Sequence, residues 1–378
     1  FYAQNPAARE EINPDILGYI FEKYINQKEM GAYYTKEDIT DYIAKNTIIP
    51  YLLDTARKDC AVAFDADRPL WRLLQETPDT YLYKAVRQGV IDNDGQIIPL
   101  PDEIAAGLDD VSRRGGWNKP AGAPFALPTE TWREHVARRR RCLELREKLA
   151  AGEVHEINDL MTYNLDIRRF ALDAVEYCEG PEFLRAFYRA LERVSVLDPT
   201  CGSGAFLFAA LNVLEPLYEA CLDRMREFVD DADASGTKRR KDAVADFRQT
   251  LDRVAAHPSR EYFIHKSIVV NNLFGVDLME EAVEICKLRL FLKLVAQVDN
   301  VRHLEPLPDI DFNIRSGNTL VGFTSLDEIR KSQEGKLAFA GSEIAKIEVQ
   351  AAGVDRQFKR FRALQTNGGC DGNSAAEI

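Results

Sequence analysis

Asp198-Pro199-Thr200-Cys201-Gly202-Ser203-Gly204-Ala205-Phe206-Leu207 decides the reading of this chain. The run Val194-Ser195-Val196-Leu197 precedes it and Phe208-Ala209-Ala210-Leu211 follows. That order predicts a buried strand, a tight glycine turn and then a helix. Asp198 then stands at the carboxyl end of the strand, where open α/β sheets bind ligands. Gly202 and Gly204 let the backbone pass close to a ligand, and the helix start offers free N–H groups. The stretch points to a nucleotide-like ligand. A plain strand–helix turn is the alternative, because glycines suit such turns in any case.

Two further units follow downstream. Leu273-Phe274-Gly275-Val276-Asp277 reads as a short buried strand ending in an acid. Glu280 to Val298 reads as a helix, with Ala282, Val283, Ile285, Leu288, Leu292 and Val295 at apolar positions. Asp311–Arg315 gives a third short strand, followed by Ser316-Gly317-Asn318-Thr319-Leu320. Units in this order imply a parallel sheet with right-handed crossovers. Glycines at the first strand end, a carboxylate at the second and an amide at the third can serve the tail, ribose and base of one nucleoside. A dinucleotide fingerprint would want G-x-G-x-x-G with an acid about 20 residues on. Here Leu207 takes the third glycine position and Asp277 lies far downstream. A P-loop would need a lysine after the glycines. Cys201 has no histidine near it in sequence, so it reads as a small turn residue rather than a nucleophile.

Elsewhere the signals are helical. Ile16, Leu17, Ile20, Phe21 and Tyr24 recur with helical period between Asn13 and Asn26. Gly31-Ala32-Tyr33-Tyr34-Thr35-Lys36 breaks that pattern, and Thr35 can cap a second helix with Asp38 as acidic partner. This helix is expected to kink or end near Pro50. From Ala61 to Ala126 prolines interrupt short apolar pieces, as in an irregular insertion with short helices. Thr129 is expected to open a helix to about Ala151 that carries Arg138-Arg139-Arg140-Arg141. Glu134, Glu144 and Glu147 flank that run, which favours a solvated face over a phosphate contact. Asn158 to Arg193 is helical again. A long helix after the glycine turn and a second one, Lys238 to Ala256, are expected to form a hairpin. Beyond Gly353 the polar composition predicts poor order. The expected divisions are residues 1–60, 61–157, 158–353 and a tail, 354–378.

Composition narrows the classes. The chain has 378 residues, room for two or three domains. Its net charge of −12 does not attract DNA globally, so any nucleic-acid contact is expected to be local or to lie outside this sequence. Seven cysteines without a C-x-x-C and five dispersed histidines argue against a metal site or a disulfide framework, and fit a reducing cytoplasm. No signal peptide and no apolar run long enough to span a membrane is read here. The first residue is Phe1, so the natural N-terminus is expected upstream.

The Asp198–Leu207 stretch resembles the first motif of adenine-N6 DNA methyltransferases, especially the large single-chain methylases of restriction–modification and phage-exclusion systems. Gly31-Ala-Tyr-Tyr-Thr resembles the upstream motif that closes over S-adenosylmethionine in those enzymes. Leu273–Asp277 and Arg315-Ser-Gly-Asn-Thr-Leu320 match the second and third motifs in position and type. The resemblance implies an α/β fold. Its core would be a partial Rossmann-like class I methyltransferase sheet of three parallel strands, with a large helical N-terminal region and helical insertions. It also implies S-adenosylmethionine as cofactor and, through the intact enzyme, double-stranded DNA as partner. Tyr33 and Thr35 would contact the methionine part, and Asp198 its amino group. Pro199, Thr200, Gly202, Ser203 and Gly204 would form the turn around it, with Phe206 packing on it. Asp277 would accept both ribose hydroxyls, as an ionised carboxylate can. Leu278 would pack on the adenine ring, and Gly317 and Asn318 would lie near its amino edge.

Two departures stand out. Lys36 replaces the family's usual proline, and no Asn-Pro-Pro-Tyr or Asp-Pro-Pro-Tyr occurs anywhere. In the family that motif holds the flipped adenine, so no catalytic residue is assigned. The expectation is an N-terminal cofactor-binding fragment in which Val194–Asp198 forms a sheet edge. Other readings stay open: an RNA or protein methyltransferase, a non-catalytic cofactor-binding or scaffold module, and a dehydrogenase. Residue by residue, Asp277 could be a helix cap, Tyr33 and Thr35 an ordinary helix start, and Gly317-Asn318 a plain turn.

Overall fold

In the computed structural model, strands β1 (Val196–Asp198), β2 (Leu273–Asp277) and β3 (Ile314–Ser316) form a parallel sheet in the order β1-β2-β3. Leu197 lies opposite Phe274, and Val276 opposite Arg315. The structure describes residues 14–24, 35–298, 307–323, 325–333 and 340–367. Among them β1 is an edge strand, as its position predicts, and Leu197 is 61% exposed rather than buried.

The chain divides into two compact units, Phe1–Ala44 with Leu191–Ile378, and Lys45–Ala190. The sheet unit contains helices α1 (Pro14–Tyr24), α2 (Ala205–Ala234), α3 (Arg260–Asn271), α4 (Glu280–Val295) and α5 (Ala340–Asn367). Leu207, Leu211, Leu214, Leu217 and Tyr218 of α2 are fully buried. By length and composition α2 is apolar enough to cross a membrane, contrary to the sequence expectation, but 61% of its apolar window is buried inside the fold. A helix apolar on most sides is what a core position requires.

Two buried asparagines fix the starts of the strands. Asn272 Nδ2 donates to the carbonyls of Leu191 (2.8 Å) and Val194 (2.7 Å), and Tyr218 donates to its Oδ1. Asn313 Nδ2 donates to the carbonyls of Val269, Val270 and Leu273. Each satisfies carbonyls that a helix end or a strand start leaves unpaired. The expected disordered tail is helical as far as Asn367. Phe358 and Phe361 each pack 5.8 Å from Phe312, and Gln365 donates to the Asp309 carbonyl. Two aromatics one turn apart give this polar helix its apolar contact. Residues 368–378 lie outside the described residues.

The helix Glu37–Asp59, whose residues from Lys45 onward belong to the second unit, continues through Pro50, with Leu52, Leu53 and Ala56 fully buried. The helix Trp132–Ala150 opens with a capping box of Thr131 and Glu134, not at Thr129, whose φ is +66°. Arg138 is neither on a solvated face nor free for phosphate. Its guanidinium donates to the carbonyls of Ala85, Val86, Gln88 and Phe125 and pairs with the Glu130 carboxylate at 2.7 Å. Only Arg140 and Arg141 of the run are exposed.

Candidate functional site

The carboxyl ends of the three strands converge through the backbone of the glycine turn. Cys201 N–H donates to the Val276 carbonyl of β2 at 2.9 Å, which holds the turn over the sheet. Gly202 and Gly204 have φ of +50° and +95°, a region that favours glycine. A Cβ on Gly204 would lie 2.7 Å from Cys286 Sγ, so packing as well as conformation excludes a side chain there. A Cβ on Gly202 would meet nothing within 4 Å. Its side of the turn is open, as a close approach by a ligand requires. Gly275 in β2 is needed for a different reason: a Cβ there would fall 2.9 Å from Cys201 Sγ.

Asp198 is 8% exposed. Its Oδ1 accepts the Thr200 N–H at 3.0 Å, while Oδ2 is buried without a hydrogen-bond partner among the described residues. Burial raises the Asp198 pKa. The Thr200 N–H opposes that shift, and the nearby Asp277 charge adds to it. Asp277 spans the first two strand ends. Its Oδ2 accepts the Gly202 N–H at 2.8 Å and its Oδ1 the Met279 N–H at 2.9 Å. The Met279 bond makes Asp277 a turn and helix-start acceptor. The Gly202 bond makes it a brace for the glycine turn. Each carboxylate oxygen retains further acceptor capacity.

The third strand end joins the same cluster. Gly317 N–H donates to the Asp277 carbonyl at 2.8 Å, and Thr319 Oγ1 donates to the Pro199 carbonyl at 3.1 Å. Asn318 is exposed and its Oδ1 accepts the Leu320 N–H, which leaves its amide N–H groups to face solvent. Leu278 and Leu320 are 75% and 92% exposed beside these turns. Two apolar side chains so open at the strand ends offer surface to a flat apolar ligand.

The structure thus brings together Asp198, Pro199, Thr200, Gly202, Ser203, Gly204, Asp277 and Gly317. Phe206 is half-buried in the first turn of α2. Ser203 faces the core: it is 1% exposed, and its carbonyl and hydroxyl both accept from Arg289 Nη1, at 2.6 and 3.1 Å. Thr35 lies two residues ahead of the Glu37–Asp59 helix, where the Lys36 carbonyl accepts the Thr40 N–H. Tyr33 lies outside the described residues. Cys201 is buried with its thiol pKa raised, first by a hydrogen bond with Cys286 and then by burial, so it is no thiolate nucleophile. Arg289, Cys286 and Asn272 support the site without a sequence signal of their own. Among the described residues no group of three or more His, Cys, Asp or Glu is placed to hold a metal ion.

The donor set fits S-adenosylmethionine. An orphaned buried carboxylate oxygen suits a ligand ammonium group, the open side of Gly202 suits a close approach, and a second carboxylate one strand away suits vicinal hydroxyls.

Residues 174–319 match the family described as the MmeI DNA-methyltransferase domain. A protein of Methanocaldococcus jannaschii named as a type II restriction enzyme and methyltransferase is 27% identical over 323 residues. The match covers 83% of this chain and 17% of that protein, so the chain spans about one sixth of its relative's length. No solved structure matches the chain. The similarity is to the DNA-methyltransferase domain of restriction–modification enzymes.

Proposed function

We propose that this chain carries the S-adenosylmethionine site of an adenine-N6 DNA methyltransferase of restriction–modification type. The observation that supports it most is the buried, unpartnered Oδ2 of Asp198 at the end of β1. A buried carboxylate without a cation is costly. A ligand ammonium group would supply the missing partner and relieve the repulsion from Asp277.

Asp198 accepts from the ligand's amino group, and Asp277 accepts the ribose hydroxyls while it continues to hold Gly202. Leu278 provides an apolar surface for the base, with Gly317 and Asn318 at its edge. When bound, the cofactor supplies an electrophilic methyl group on a sulfonium. The chain's own contribution is to fix that group's position, the largest part of what an enzyme gives to an in-line transfer between two bound partners. Tyr33 and Thr35 close over the methionine part in this reading, which rests on the resemblance of Gly31–Thr35. Adenine specificity rests on the same resemblance. In this reading none of the residues named here presents the flipped adenine or recognises double-stranded DNA. A cytoplasmic location accompanies a DNA substrate and the six free thiols among the described residues.

Thermal unfolding of the full chain with S-adenosylmethionine, S-adenosylhomocysteine or NADH tests the reading. The first two are expected to raise the melting temperature with concentration, as any ligand of the native state does. Stabilisation by NADH alone would favour a dehydrogenase and overturn it.

A further inference from the structure

Behind the glycine turn lies a buried arginine that no part of the proposed ligand contact uses. Arg289 of α4 is 5% exposed. Its Nη1 donates to both oxygens of Ser203, the residue between the two positive-φ glycines. Its guanidinium carbon lies 4.3 Å from the centre of the Phe208 ring, in the first turns of α2. The backbone of α1 also lies against the guanidinium. A Cβ added to Gly18 would overlap Cζ and Nη1, so a side chain there would have to push the guanidinium away from its partners. The guanidinium is therefore enclosed by a ring on α2, a backbone on α1 and the middle of the turn.

Each contact uses a property particular to arginine. The planar fork reaches a carbonyl and a hydroxyl from one nitrogen while its face stacks on a ring. Burying this charge is tolerable only with those partners in place. Removing α1 would bring water to the guanidinium and weaken its hold on Ser203. Conversely, a turn held at Ser203 presents a fixed face to α1.

We infer that Arg289 is a positioning residue that locks the Gly202–Gly204 turn for its ligand and couples that turn to the N-terminal helix through Gly18. The inference rests on the S-adenosylmethionine reading for its ligand, but the lock itself exists in the free protein.

Hydrogen exchange and calorimetry on the full chain separate the two. In free wild type, amides of residues 202–208 and of α1 are expected to be protected. Arg289→Lys keeps the charge but loses the planar stack. It should speed exchange at both segments and leave β2 and α3 unchanged. Gly18→Ala should release α1 first and the turn in part. With S-adenosylmethionine as probe, wild type should gain protection in α1 on binding. Both variants should bind about tenfold or more weakly, the scale of a lost charged hydrogen bond. Unchanged exchange at the turn and at α1 in a folded Arg289→Lys protein would overturn the lock. Tight wild-type-like binding by both variants would overturn its relevance to the ligand. Failure of wild type to bind the probe, with the exchange differences intact, would overturn the pocket reading and leave the lock standing.

Discussion

Replacing Asp198 by Asn separates a ligand-binding carboxylate from a structural one, because the two roles demand opposite signs. The amide is nearly isosteric, and its Oδ1 can still accept the Thr200 N–H at 3.0 Å. What disappears is the negative charge at the buried Oδ2 position, which no group of the described chain compensates. In the complex that charge would meet an ammonium group, and a hydrogen bond to a charged partner contributes roughly 1.5–3 kcal/mol. The expected loss in S-adenosylmethionine affinity is therefore about 10- to 150-fold. In the free protein the same charge is a burden. The Asp198 pKa is raised in the fold by burial and by Asp277, so the ionised form is less favourable there than in the unfolded chain. That cost is absent below the unfolded carboxylate pKa, grows as pH rises, and is complete above the folded value. The Asn variant should thus melt at or above the wild-type temperature at neutral pH, with the advantage shrinking in acid. Titration calorimetry and melting curves at two pH values measure both. A variant that binds as wild type does, or that melts several degrees lower at neutral pH, would refute the reasoning.

Gly204→Ala should destabilise the free chain by about 1–3 kcal/mol in a urea titration, from backbone strain at φ +95° and the clash with Cys286 Sγ. Asp277→Ala frees the Gly202 and Met279 N–H groups. Hydrogen exchange should show a loosened glycine turn as well as weaker S-adenosylmethionine binding, whereas a pure ribose contact would leave the free turn unchanged. Arg138→Met in the second unit strips the cation from the half-buried Glu130 and from four carbonyls. A cost of about 3–5 kcal/mol is expected in denaturant unfolding, with little effect if Arg138 were a surface residue.

The strand–turn–helix units were legible because each carries its own local physics. Gly202 and Gly204 mark positive φ, Asp198 and Asp277 end short apolar runs, and the units follow one another in parallel order. The site's second support was not legible. Arg289 looks like one more charge on an amphipathic helix, and only its distant partners Ser203, Phe208 and Gly18 give it a role. Asn272 and Asn313 likewise act on carbonyls that are set by tertiary packing. In the four-arginine run Arg140 and Arg141 are exposed, as a solvated face predicts, whereas Arg138 is recruited by a loop some fifty residues earlier. The cap at Thr131 rather than Thr129 lay within reach of the sequence, since only Thr131 directly precedes an apolar residue, Trp132, and has Glu134 three residues on. In the tail, Phe358 and Phe361 were the available signal, and the polar residues around them masked it.

The central claim is that the Asp198 turn receives the methyl donor's amino group. The most direct measurement is a structure of the chain determined with S-adenosylmethionine. The expected result places the ligand's nitrogen within hydrogen-bond distance of Asp198 Oδ2 and its ribose hydroxyls at Asp277. A ligand bound elsewhere, with Asp198 Oδ2 still unpartnered, would contradict it.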